Sequence, residues 1–338
     1  MSEQDPSRFI PLGLNRNQEQ IDIQTATCKV LLVEANAGAA KTTTLALRIG
    51  EALATNVAPE SVLALVFTET AREVMRQRLL DIGVHLTIVN RIDIATFDEF
   101  ATKQLSTVED KGIKFYPNAR LQSKPMLVAI GKVYEHYGDK VDGLQLSTHN
   151  VALTQFLDAQ LSLKAKMKLA ADFDLDDLET VFSRLKITTS EYLTAIEYER
   201  IRLGNTEQPT FRGPFDATYD LARDIENGAD SLVQFADYRL VVCDELHDLN
   251  EAAFRIICAL IDKPRCYFVG AGDKDQVIHA TLGASPEFLE TRFKGRFPST
   301  KKYPLTITYR HGPHLAYSMR EFKNKEIESY VANQLQIE

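Results

Sequence analysis

The chain has 338 residues, enough for about two domains of roughly 100–200 residues each. Its composition, 44% hydrophobic and 25% charged, suits a buried core. A formal charge of −8 argues against a protein that coats nucleic acid through bulk positive charge, while leaving room for a local basic groove.

Cys28, Cys243, Cys258 and Cys266 lack C-x-x-C spacing and sit in apolar contexts, so buried, reduced thiols are expected. There is no basic-then-apolar leader and no long apolar run. The chain therefore reads as soluble and cytoplasmic, with no membrane partner.

"KVLLVEANAG" (29–38) predicts a buried strand entering a loop, and the four-residue spacing of Leu45, Ile49 and Leu53 predicts a helix from Lys41. "SVLALVFT" (61–68) is a second strand, "ETAREVMRQRLL" a helix and "IDIATF" (92–97) a third strand. From about 106 to 210 the pattern turns helical, in "KPMLVAIGKVYEHY", "VALTQFLDAQLSLKAKMKLA", "LDDLETVFSRL" and "SEYLTAIEYERIRL". Strands resume at "YRLVVCDE" (238–245) and "RCYFVGAGD" (265–273). The expectation is an α/β fold with a parallel sheet, interrupted by an all-helical insertion.

Three stretches carry candidate chemistry. "EANAGAAKTTTL" (34–45) has the outline of G-x-x-x-x-G-K-[ST], with Ala35 and Ala40 at the two glycine positions. Ala37, Gly38, Ala39, Ala40, Lys41, Thr42 and Thr43 would cradle phosphates through backbone N–H groups and a helix N-terminus, and Thr42 would ligate Mg²⁺. The competing interpretation is a helix start rich in small residues. "LVVCDELHDLN" (240–250) ends a strand in Asp244 and Glu245. In isolation such a pair is often a solvated cap; after a phosphate loop in a parallel α/β domain it suits Mg²⁺ and water activation. "CYFVGAGDKDQVIH" (266–279) ends another strand near Asp273 and Gln276, either a γ-phosphate sensor or a polar turn. "DFDLDDLE" (172–179) lacks the glycine and glutamate of a calcium loop.

The order and spacing of "LNRNQEQI", "EANAGAAKTT", "LALVFTETAREVMRQRL", "IATFDEF", "VVCDELHDLN", "VGAGDKDQVIH" and "LTITYRHGP" resemble the UvrD/Rep-like branch of superfamily 1 DNA helicases. The resemblance implies a RecA-like P-loop NTPase fold with ATP and Mg²⁺ as cofactors. It divides the chain into a RecA-like first part (1–105), a helical insertion (106–210), a RecA-like second part (211–298) and the start of a second RecA-like domain (299–338). It further implies that Gln18 reads adenine and that Lys41 and Thr42 hold the β- and γ-phosphates with Mg²⁺. Asp244 would hold Mg²⁺, Glu245 would activate water, and Gln276 and Arg310 would reach the γ-phosphate. Phe67, Thr68 and Thr96 would touch single-stranded DNA.

This chain departs from the family pattern at several positions. Ala40 replaces a glycine and His247 a glutamine. Glu69 and Thr70 replace Asn and Lys, and "ATLGA" (280–284) replaces a Trp-containing motif in a chain without Trp. The chain ends soon after Arg310, so a missing second half or a protein partner is expected to supply the rest of a second RecA-like domain. An ATP-binding switch, or pseudo-helicase subunit, is the rival expectation. A P-loop kinase is disfavoured by "LVFTETA" and "IATFDEF". The basic run from Arg292 to Lys325 reads as a phosphate-facing or acidic-partner surface, or else as a solvated linker face.

Overall fold

The computed structural model describes residues 7–109, 112–169, 186–204, 208–228, 235–323 and 325–331. The chain first forms α1 (Gln18–Thr25), β1 (Val30–Ala35), α2 (Lys41–Ala54), β2 (Val62–Val66), α3 (Glu69–Asp81), the single turn α4 (Leu86–Val89), β3 (Asp93–Thr96) and α5 (Phe97–Leu105). A mainly helical stretch follows, with β4 (Lys114–Phe115), α6 (Ala119–Tyr137), α7 (Asn150–Ala165), α8 (Thr189–Leu203) and β5 (Phe211–Arg212), which pairs with β4. Then come α9 (Asp216–Glu226), β6 (Leu240–Cys243), α10 (Glu251–Asp262), β7 (Tyr267–Gly272), α11 (Phe293–Arg296), β8 (Lys301–Leu305), β9 (Ile307–Thr308), α12 (Pro313–Lys323) and β10 (Glu328–Ser329).

Six strands make one parallel sheet in the order β3-β2-β6-β7-β1-β8. Parallel strands covered on both faces read as continuous apolar runs, and "VLLVEA" and "VLALV" are such runs. Alternate residues face opposite cores. Val30, Leu32, Leu63, Leu65, Val241 and Phe268 face one, packed by α5, α9 and α10. Leu31, Val33, Val62, Ala64, Val242 and Val269 face the other, packed by α2 and α3. Capping fixes several helix starts: Thr68 accepts from Ala71 N, Asn250 from Ala253 N, and Thr96 exchanges bonds with Glu99 in a capping box.

The helical stretch has its own core of Met126, Ile130, Leu153, Phe156, Tyr198 and Phe211. Buried charges join it to α9. Lys164 Nζ lies 2.5 Å from Asp216 Oδ1 and 2.9 Å from Glu199 Oε2. The fully buried Arg202 guanidinium binds Glu199 and Asp220, and Arg212 binds Asp220 and Glu109.

Lys301–Leu305 pairs with β1 and forms the outer strand of the central sheet. The amphipathic α9 differs from the sequence expectation, because its charges look solvent-facing in sequence yet Asp216 and Asp220 are buried. The expected helix in "LDDLETVFSRL" and the "DFDLDDLE" segment lie outside the described residues. The four cysteines are free, and burial pushes the Cys258 and Cys266 thiols up to about 12. No helix among the described residues is long and apolar enough to cross a membrane.

Candidate nucleotide site

The order β6-β7-β1 brings three strand ends to one edge of the sheet, where ligands of open α/β sheets bind. β1 ends in the loop 36–40, which opens α2 at Lys41. Gly38 has φ +74°, and a Cβ there would sit 2.4 Å from Arg310 Cβ, so glycine is required by the close approach of the 308–310 segment. That segment clasps the loop: Tyr309 N donates to Gly38 O (3.0 Å) and Thr308 Oγ1 to Ala37 O (2.9 Å). Ala40 holds the left-handed conformation, φ 57° and ψ 41°.

Lys41 is buried, and its Nζ lies 3.2 Å from Glu245 Oε2. Thr42 Oγ1 donates to Asp244 Oδ2 at 2.5 Å. Burial, then the adjacent Glu245 charge, push the Asp244 carboxyl up to about 6 against the pull of Thr42 and Lys41. A buried carboxylate under that penalty, beside a hydroxyl, is an oxygen donor set that fits Mg²⁺. Glu245 also has a positive φ, 51°. Its Oε2 lies 3.5 Å from His247 Nδ1, and Asp273 N donates to the same His247 nitrogen at 3.3 Å. Burial lowers the His247 pKa, so the ring is neutral at pH 7, accepts at Nδ1 and carries its proton on Nε2.

A cleft of about 500 Å³ is lined by residues 38–43 together with Val74, Arg78, Glu245, Tyr309 and Arg310. It gathers Gly38, Ala39, Ala40, Lys41, Thr42, Thr43, Glu245 and Arg310 from the sequence-derived set, and the Asp244 carboxylate touches Thr42 behind them. Ala37 lies under the 308–310 clasp. Gln18 and Gln276 are not on the wall. Gln18 is exposed and bonded to Asp22, and Gln276 Nε2 donates to Asp273 Oδ2 at 2.7 Å. Tyr309 and Asn17 were missed by the sequence reading. Asn17 Nδ2 donates to Tyr309 OH at 3.2 Å, and Tyr309 packs on Tyr330 with ring centroids 4.7 Å apart. Their only sequence signal is adjacency to Gln18 and Arg310.

Phe67, Thr68 and Thr96 lie at the ends of β2 and β3. The half-buried Phe67 ring packs on Phe97, while both threonines cap helices. The basic run is largely paired internally: Arg292 with Glu251, Arg296 with Asp262, Arg320 with Glu326, and Lys323 and Lys325 with Asp273 and Asp275.

A sequence profile of UvrD/REP helicase N-terminal domains matches residues 15–298. Among relatives, the "Putative ATP-dependent DNA helicase YjcD" of Bacillus subtilis is 27% identical over 91% of this chain and 38% of its own length. The ATP-dependent DNA helicase PcrA of Leuconostoc citreum is 25% identical over 88% of this chain and 37% of its own length. UvrD1 of Mycobacterium leprae, also an ATP-dependent DNA helicase, is 26% identical over 88% and 38%. The chain thus spans under two fifths of each of these three relatives. With a six-stranded parallel sheet of RecA-like type and a phosphate loop at its edge, the chain belongs to the UvrD/REP helicase N-terminal domain family.

Proposed function

We propose that this chain binds Mg-ATP at the cleft after β1 and hydrolyses it as the ATPase portion of a DNA helicase that acts on single-stranded DNA. The observation that carries this reading is the convergence of Lys41, Thr42, Asp244 and Glu245 within ion-pair and hydrogen-bond distance, from stretches two hundred residues apart in sequence. Mg²⁺, held by Thr42 and Asp244, would supply charge neutralisation on the β- and γ-phosphates. Lys41, now against Glu245, would turn to the phosphates and leave the Glu245 carboxylate free to take a proton from the attacking water. Arg310, exposed over Gly38, would meet developing negative charge on the γ-phosphate. Gln18 would bond the adenine edge and Gln276 the γ-phosphate.

Single-stranded DNA would run over the ends of β2 and β3, past Phe67, Thr68 and Thr96. The division into a RecA-like part, a helical insertion and a following second unit belongs to this proposal, as does a further RecA-like unit for full motor action, supplied by the same chain or a partner. A non-catalytic ATP switch is favoured by one observation, the Cβ of Ala40 in a left-handed turn of the phosphate loop.

Glu245→Gln separates the two. It keeps size but cannot accept the proton, so ATP affinity by calorimetry stays near wild type while turnover falls by about two or more orders of magnitude. Lys41→Ala, by contrast, weakens binding by about 1.5–3 kcal/mol. Equal, measurable turnover in wild type and Glu245→Gln would remove Glu245 from the chemistry, whereas ATP binding with turnover at background in the wild type would leave the switch.

A further inference from the structure

The loop after β7 and the segment after α12 meet in an acidic socket. Lys325 Nζ lies 2.6 Å from Asp275 Oδ2, 3.1 Å from Asp273 Oδ1 and 3.9 Å from Glu34 Oε1. Asp273 is completely buried. Its Oδ1 also accepts from Asp275 N (3.1 Å), and its Oδ2 accepts from Gln276 Nε2 (2.7 Å). The segment bearing Lys325 is anchored on the phosphate loop as well, since Asn36 Nδ2 donates to Glu326 O (2.8 Å) and β10 pairs with β9, two residues before Arg310.

We propose that Lys325 is a positioning residue for Gln276: seated among Asp273, Asp275 and Glu34, it fixes the carboxylate that orients the Gln276 amide and ties the Arg310 segment to the γ-phosphate side of the site. The proposal rests on the ATPase reading above. A carboxamide presents two donors on one side and an acceptor on the other. With one N–H held by Asp273, the second N–H remains for a phosphate oxygen. Released from Asp273, the amide can turn its oxygen toward the phosphate, and two acceptors then oppose each other. Lys325 prevents this by keeping Asp273 charged and immobile.

The groups facing Asp273 are Lys323, whose Nζ is 3.8 Å away, Lys325, Asp275 and the neutral His247. Lys274 turns to Glu34 and Glu290 instead. Burial would raise the Asp273 carboxyl, but the bonds from Gln276, Asp275 N and Lys325 outweigh it and hold it below the ordinary range.

The test compares Lys325→Met, Lys325→Gln and Lys325→Arg in the full chain. In the Met and Gln variants, ATP affinity by calorimetry is expected within about twofold of wild type, while kcat falls about tenfold. The acid limb of the kcat profile moves to higher pH as Asp273 loses its cation. Lys325→Arg recovers most of both. Lys325→Gln, uncharged but polar, decides the matter if Lys325→Met does not fold. Wild-type kcat and acid limb in the neutral variants, or no recovery with arginine, overturn the proposal. A wild-type chain that fails to bind ATP overturns the ATPase reading instead. The socket is then judged by the side-chain amide NMR resonance of Gln276. Its pH midpoint is expected to rise in Lys325→Met, and an unmoved midpoint overturns the socket.

Discussion

Ala40 holds φ 57° and ψ 41° in the turn that lets the following amides point at a ligand. A Cβ in that region costs about 1–2 kcal/mol, against which glycine loses about 0.5–1 kcal/mol of unfolded-state freedom. Ala40→Gly is therefore expected to stabilise the protein by up to about 1 kcal/mol, read from the denaturant midpoint at constant slope. A destabilised variant would show that the alanine methyl makes contacts worth more than the strain. The convergence of Lys41 and Thr42 with Asp244 and Glu245 was legible in the sequence because the first pair opens the helix after a strand and a small-residue loop and the second directly follows an apolar strand. The Lys325–Asp273–Gln276 arrangement was not, since nothing local marks a lysine whose partners lie fifty residues back. The basic count around Lys325 suggested an outward surface, whereas the structure turns several of those charges onto acids of the same chain.

The strands were readable because sheets buried on both faces need unbroken apolar runs. The helices of the middle stretch were readable by periodicity, but how they attach was hidden in charges that resemble solvated faces. Lys164, Glu199, Arg202, Asp216 and Asp220 are all buried at the junction of α7, α8 and α9. Removing one member leaves the others uncompensated, so Arg202→Met is expected to cost about 3–5 kcal/mol. Little or no loss in chemical denaturation would mean that water or Arg223 replaces the guanidinium. Burial alone would raise the acids here. Lys164 and Arg202 outweigh it for Glu199, and Arg202 for Asp220, holding both below the usual carboxylate range. Groups with depressed folded pKa values contribute stability that is present above about pH 4 and lost as pH falls through the folded values. The unfolding free energy of wild type is expected to drop on acidification below pH 4 more steeply than that of Arg202→Met. Parallel acid profiles would place the acid-labile charges elsewhere.

For the whole molecule, the internal pairing of the basic run leaves Lys294, Lys301 and Arg310 as its exposed cations, and the strand order sets β8, which Lys301 opens, at the opposite edge of the sheet from β3 and Thr96. Binding of a single-stranded oligonucleotide by this chain is therefore expected to be weak, with log K falling against log salt at a slope no steeper than about −2, the value for roughly three phosphate contacts. A slope near zero in fluorescence titrations would rule out a phosphate-tracking surface. The strand order also governs how this protein comes into being. β1, made first, lies between β7 and β8, and its register partners for Val30 and Leu31 are Phe268 and Lys301. At about 5–20 residues per second of synthesis, a nascent β1 waits roughly ten to fifty seconds for its neighbours. During that wait "VLLVEA" is an unpaired apolar strand, and the phosphate loop hanging from it has no Asp244 or Arg310 to meet. The nucleotide cleft is therefore completed only once β7, β8 and the Arg310 segment have been made, and until then the nascent chain carries an unpaired apolar strand open to chaperones and to aggregation.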